Sequence, residues 1–248
     1  MANNTHHTKA IILKLIPYGD TSLIITALTE VFGIQSYLIK GVRKPSKTGA
    51  TKASFFQHAA ILNMVVYHHP QKQLNYIKEY NWAILNQNLY TNITKNCIAL
   101  YLVELLLKCL KQPDDNPELY YFAEDALVQL NQATATITAN FALYIALHLP
   151  NVLGIQIIDN YTTHNNILDL KDGCYYHETP PHLHIVTEPY SCHISQLLKA
   201  NHPSYLSEIT LNGLVRRQLL MYLETFYQLH IADFGTIKTL PILQEMLY

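Results

Sequence analysis

Five apolar runs of strand length, each bounded by a turn signal, fill the first 80 residues, and that spacing restricts this part of the chain to small antiparallel β structure. Lys9–Ile16 and Ser22–Leu28 are rich in Ile, Leu and Thr and flank the turn sequence Pro-Tyr-Gly-Asp. A second turn, Glu-Val-Phe-Gly, leads into a run in which Ile34, Ser36 and Leu38 alternate with Gln35, Tyr37 and Ile39, the two-residue period of a strand. Two more strands are predicted over Phe55–Tyr67 and Leu74–Tyr80, joined by His-His-Pro-Gln-Lys. Between the third and fourth strands, residues 41–53 hold two Gly and one Pro and predict a long exposed loop.

Five short antiparallel strands in so few residues fit a closed barrel, and the oligonucleotide-binding (OB) type is the commonest with five strands. Beyond Tyr80 the apolar period lengthens. Thr91–Leu110 is mostly apolar, with Ile93, Cys97 and Leu100 at helical spacing. Asn116-Pro117 reads as a helix start, Asn as cap and Pro at the first helical position. Further helices are predicted over Ile137–Leu149, ending at Pro150, and over Leu211–Ile231, with Val215, Leu219, Tyr222, Phe226 and Leu229 on one core-facing stripe. The fold class is therefore α+β: an OB barrel over residues 1–80, then an α-helical bundle over 81–248 with an inserted loop region at about 160–190.

The polar N-terminus gives no secretory signal, and the apolar run at 98–110 is interrupted by Glu104 and Lys108, short of the ~18 residues of a membrane span. A cytoplasmic protein is expected. The sequence has no Gly-rich phosphate loop, no His-Glu-x-x-His and no Gly-x-Ser-x-Gly, and its adjacent acids at 114–115 and 124–125 read as solvated faces. No active site is expected, so the chain reads as a non-enzyme with no cofactor.

The formal net charge of -1 conceals a segregation. Residues 1–80 carry nine Lys+Arg against three acids, whereas the remainder carries eight against fifteen. A basic barrel followed by an acidic helical part suggests that the barrel meets a polyanion. Lys40, Arg43, Lys44, Lys47 and Lys52 cluster on and beside the 41–53 loop, which makes them the candidate nucleic-acid contacts. Tyr18, Tyr37, Phe55 and Tyr67 are candidate stacking platforms for bases, although core packing explains each of them as well. An RNA-binding barrel, or a protein scaffold with incidental loop charge, remains open on these residues alone.

His164, Cys174, His177, His182, His184, Cys192 and His193 form the one cluster of metal-ligand types, and only Cys174 and His177 have the spacing of half a zinc ribbon. A second clean pair is missing, so no metal is assigned, and Cys174 and His177 stay weak candidates.

The run from Lys9 to Lys44 resembles the start of the recombination mediator RecO family. The likeness lies in Pro17-Tyr18-Gly19-Asp20-Thr21-Ser22, in Thr29–Gly33 and in Lys40-Gly41-Val42-Arg43. The segment from Val215 to Leu243 resembles that family's last long helix, with Arg217, Tyr227–His230 and Lys238-Thr239-Leu240 in the matching places. The resemblance implies a DNA-binding protein of recombinational repair that binds single- and double-stranded DNA and anneals complementary strands. With the partner RecR, it would help place RecA on single strands coated by SSB, in the nucleoid-associated cytoplasm. Lys40 and Arg43 match the basic end of the family's third strand. For the acidic tail of SSB, Lys108 with Lys111, and Arg216 with Arg217, are the candidate cations. Many family members carry a four-cysteine zinc ribbon; this chain lacks the first Cys pair, so the resemblance implies a region that has lost its metal.

Overall fold

The computed structural model describes residues 5–44, 52–111 and 116–246. β1 (Thr5–Tyr18), β2 (Ser22–Thr29), β3 (Gly33–Ile39), β4 (Ile61–Tyr67) and β5 (Asn75–Ile84) close into a barrel in the order β1-β2-β3-β5-β4, the topology of an OB fold. Closure depends on β1, which pairs with β4 through Thr5–Ile11 and with β2 through Ala10–Tyr18. A bulge between Ile12 and Lys14 bends the strand where it changes partner. The remaining seam is short: β3 and β5 run parallel and pair only at Tyr37 with Asn75 and Leu38 with Tyr76.

Period-two alternation fills the interior. Leu23, Ile25 and Ala27 of β2 and Leu62, Met64 and Val66 of β4 meet Tyr37, Ile39, Val42 and Phe56 in one buried cluster. Residues predicted to begin the fourth strand at Phe55 instead form a 3₁₀ turn, Lys52–Phe55, and Phe56 drops into the core. The apolar run was a strand signal by composition, but its side chains plug the end of the barrel. β5 runs on past the expected end at Tyr80 to Ile84.

Grouping by proximity divides the chain into two compact units, residues 1–87 with 106–127, and residues 88–105 with 128–248. In the first unit, Lys9 of β1 donates to both oxygens of Glu124 at 3.1 and 3.2 Å, and the Tyr121 hydroxyl donates to Glu30 at 2.8 Å. α1 (Gln87–Thr91) precedes α2 (Ile93–Cys109) and α3 (Pro117–Gln132). The Asn116 side chain accepts from Leu119 N at 3.1 Å, the capping expected of Asn-Pro.

In the second unit, α4 (Ala135–Val152) lies against a 3₁₀ turn at Pro203–Glu208, α5 (Tyr190–Leu198) and α6 (Gly213–His230). α4 does not stop at Pro150. A proline there leaves the Ala146 carbonyl without its intrahelical donor, and the buried Tyr227 hydroxyl donates to that carbonyl at 3.1 Å. α7 (Thr239–Met246) starts on Glu104, whose carboxylate accepts from Lys238 N, Thr239 N and the Thr239 hydroxyl. The inserted region is not a plain loop: β6 (Ile167–Asp169), β7 (Cys174–Tyr176) and β8 (Ile185–Val186) form a three-stranded sheet in the order β7-β6-β8. No helix among the described residues is long and apolar enough to cross a membrane.

Candidate nucleic-acid interface

The chain leaves β3 through Lys40 and Gly41, and Gly41 takes φ +74°, a left-handed conformation open to glycine at little cost. That turn brings Val42 into the core and leaves Arg43 and Lys44 exposed. Arg43 N donates to Thr21 O and Arg43 Nη1 donates to Gly19 O, both at 3.0 Å. The basic turn is thereby fastened to the β1–β2 turn, beside Tyr18, which is 54% exposed. One side of the barrel end thus gathers Tyr18, Arg43 and Lys44, three of the expected residues. Lys47 lies outside the described residues.

Lys40 and Lys52 reach a different feature. They line a groove of about 370 Å³ with Lys78, Tyr67, Tyr76, Tyr80 and the backbone that runs from Leu38 to Val42. The groove lies where the β3–β5 seam ends. β5 approaches from a distant part of the sequence, and a bulge opposite Val65 and Val66 leaves Lys78 as the extra residue between Ile77 and Glu79. Tyr67 and Tyr76 face each other as a cross-strand pair on β4 and β5. The Lys40 ammonium stands 5.7 Å from the centre of the Tyr76 ring, within cation–π range. Tyr80 packs on Phe55 and Phe56 and is half-buried, which pushes its hydroxyl pKa above the usual tyrosine value.

No carboxylate lines this groove among the described residues. Glu79 is not among the lining residues but holds Lys78 at 3.3 Å; both side chains are largely exposed, and such a pair yields readily to a competing phosphate. Lys9 is committed to Glu124 instead. Three ammonium groups and two accessible rings along one groove can neutralise phosphates and offer flat apolar faces to bases.

Tyr37 is a correction. The side chain is 0% exposed in the barrel core and burial drives its hydroxyl pKa far up, so no face is left for a base. Its hydroxyl has no hydrogen-bond partner. Tyr37→Phe is therefore expected to stabilise the barrel by about 1 kcal/mol without altering nucleic-acid affinity, read by thermal melting and by anisotropy. A loss of affinity with unchanged melting would return Tyr37 to the interface. Phe55 is likewise taken up by packing, stacked on Trp82 at 5.3 Å.

The four expected partner-binding cations divide between the units. Lys108 and Lys111 belong to the first, where Lys111 lines a cavity of about 600 Å³ with Lys72, His68 and the β2–β3 surface. Arg216 and Arg217 open α6 in the second. The Arg216 guanidinium donates to Leu211 O, and burial lowers its pKa. His177 turns its ring onto His164, with centroids 3.8 Å apart, and Nδ1 engages His164 O at 3.0 Å. Cys174 and His177 supply at most two of the four ligands that a structural zinc needs, and no three metal-ligating side chains gather among the described residues.

Sequence had missed Lys78, Tyr76 and Tyr80, because barrel closure and not chain proximity brings them to Lys40. The model named "Recombination protein O N terminal" matches residues 1–84, and "Recombination protein O C terminal" matches residues 90–238. The chain is 30% identical over 240 residues to the DNA repair protein RecO of Christiangramia forsetii, covering 97% of this chain and 98% of that one. It is 29% identical over 242 residues to the DNA repair protein RecO of Azobacteroides pseudotrichonymphae, with 97% and 98% covered. Against the DNA repair protein RecO of Salinibacter ruber, the identity is 31% over 176 residues, with 68% and 66% covered.

Proposed function

The chain belongs to the recombination protein O family of DNA repair proteins, and from that premise we propose that its barrel binds single- and double-stranded DNA and anneals complementary strands. Family membership implies recombinational repair. The single observation that carries the molecular reading is the groove in which Lys40, Lys52 and Lys78 meet Tyr67 and Tyr76 on an OB barrel.

The mechanism follows from electrostatics. Two complementary strands repel each other through their phosphates, and a protein that neutralises some of that charge on a held strand lowers the barrier to pairing. Contacts to phosphate carry no sequence information, which suits a protein that must act on any broken region. The step forms and breaks no covalent bond, so it calls for no nucleophile, acid or base. In this reading RecR joins it to help load RecA onto SSB-covered strands. Lys108, Lys111, Arg216 and Arg217 are the cations offered to the acidic tail of SSB, and the work takes place at the nucleoid.

The test is fluorescence anisotropy of a labelled, unstructured single strand of DNA across a salt series. Log affinity is expected to fall linearly with log salt, by roughly 0.7 for each phosphate neutralised. Absence of binding even at low salt would overturn the reading and leave the barrel as a surface for protein partners.

A further inference from the structure

We infer that Tyr67 and Tyr76 form a stacking platform for one unpaired nucleobase, so that the groove recognises the single-stranded part of its DNA and leaves duplex to the lysines alone. The inference rests on the DNA-binding reading above and adds the chemical class of ligand that the groove selects.

Four observations carry it. Five tyrosines, Tyr37, Tyr101, Tyr120, Tyr175 and Tyr227, are fully buried and offer no face to a ligand. Tyr67 and Tyr76, by contrast, are 43% and 41% exposed and sit opposite each other where the β4–β5 ladder ends. An exposed cross-strand aromatic pair presents two adjacent apolar faces to solvent, a surface that stacking would cover. Next, the groove is about 370 Å³, near the lower end of small-molecule sites, which accommodates a nucleoside, whereas a double helix can only lie across its rim against the lysines. Third, cations surround the pair, with Lys40 over the Tyr76 ring and Lys52 and Lys78 along the same groove, placed to hold the phosphates on either side of a stacked base. Finally, no carboxylate is among the described lining residues, and the exposed Glu79 that pairs with Lys78 at 3.3 Å is a weak competitor for a phosphate.

Discrimination then has a simple cause. In a duplex each base face is already covered by its neighbours, so the tyrosines gain nothing from it. An unpaired base has a free face, and every base has one, which makes the recognition strand-specific and sequence-tolerant.

The experiment compares three labelled DNAs of equal length: an unpaired strand, the same strand with a central abasic stretch, and a duplex. Wild type is expected to bind the normal strand about tenfold more tightly than the abasic one, because stacking one base has an effect of that size. Tyr67→Ala with Tyr76→Ala should abolish that difference while leaving duplex affinity and the salt slope unchanged. Tyr67→Phe with Tyr76→Phe, which keeps the rings, should behave as wild type and controls for folding alongside circular dichroism. Equal weakening of strand and duplex in the alanine variant, or a base-to-abasic difference that survives it, overturns the platform. Wild type that binds DNA but ignores the abasic stretch also overturns it and leaves the DNA-binding reading standing. Wild type that binds none of the three DNAs removes both.

Discussion

Replacement of Lys40, Lys52 and Lys78 together by alanine is expected to weaken single-strand binding about a hundredfold at 0.1 M salt and to leave the barrel folded. The size follows from counterion release. Each lost phosphate contact removes about 0.7 from the slope of log affinity against log salt, so the triple variant should be shallower by about 2. Since the electrostatic contribution fades toward 1 M salt, a slope difference of about 2 across one decade gives the hundredfold figure. The residues serve the groove and not the core: Lys40 and Lys78 are exposed, and Lys52 sits on a 3₁₀ turn with no buried residue. Their loss should cost little stability. Anisotropy titrations at several salt concentrations read both numbers. A variant that binds as wild type does at every salt concentration would show that the DNA path avoids the groove and follows Arg43 and Lys44 at the rim.

The barrel was legible because its signal is local. Alternation in Ser22–Thr29 and Gly33–Ile39, with turn residues between them, encodes two strands and their partner faces without knowledge of the rest of the chain. Failures occurred where tertiary context decides. Phe55 and Phe56 have strand-like composition, yet the barrel end needed a plug, and Phe56 became part of the core. Pro150 is a helix stop by propensity, and only the Tyr227 hydroxyl, 77 positions away in sequence, makes it tolerable inside α4. The strands of the inserted sheet are two or three residues long, too short for any period to emerge.

The site was half legible for a related reason. Charge segregation pointed to the barrel, and the basic turn sequence pointed to residues 40–44. Which aromatics accompany them depends on which faces remain uncovered, and that is a property of closure. Tyr37 reads as a candidate platform in the sequence and Tyr76 does not, but the register Tyr37–Asn75 and Leu38–Tyr76 leaves the first ring in the core and the second outside. A one-residue slip of β5 in that short seam would turn Tyr76 to the inner face.

Asp169→Ala is expected to destabilise the second unit by about 3 kcal/mol, the effect of stranding a histidine partner and uncapping a turn at a buried site. A sheet of strands this short has few backbone hydrogen bonds of its own, so its two connections must be held by other means. The Asp169 carboxylate, 2% exposed, holds both. Its Oδ1 accepts from Lys171 N at 2.7 Å and from Asp172 N at 3.3 Å, which fixes the turn from β6 to β7. Its Oδ2 meets His182 Nε2 at 3.0 Å, which ties the connection from β7 to β8 back onto β6. One buried carboxylate thus joins two turns, the same structural task that a zinc performs between the two knuckles of a ribbon. Asp169→Asn keeps an acceptor for the first turn and loses the charge opposite His182, so it should lie between wild type and Asp169→Ala. Thermal melting should register about 8 °C for the alanine variant, with cleavage by a protease appearing first between residues 170 and 184. An alanine variant that melts with wild type, alongside a wild type whose melting falls on chelation, would assign the task to a metal and reverse the reading of Cys174 and His177.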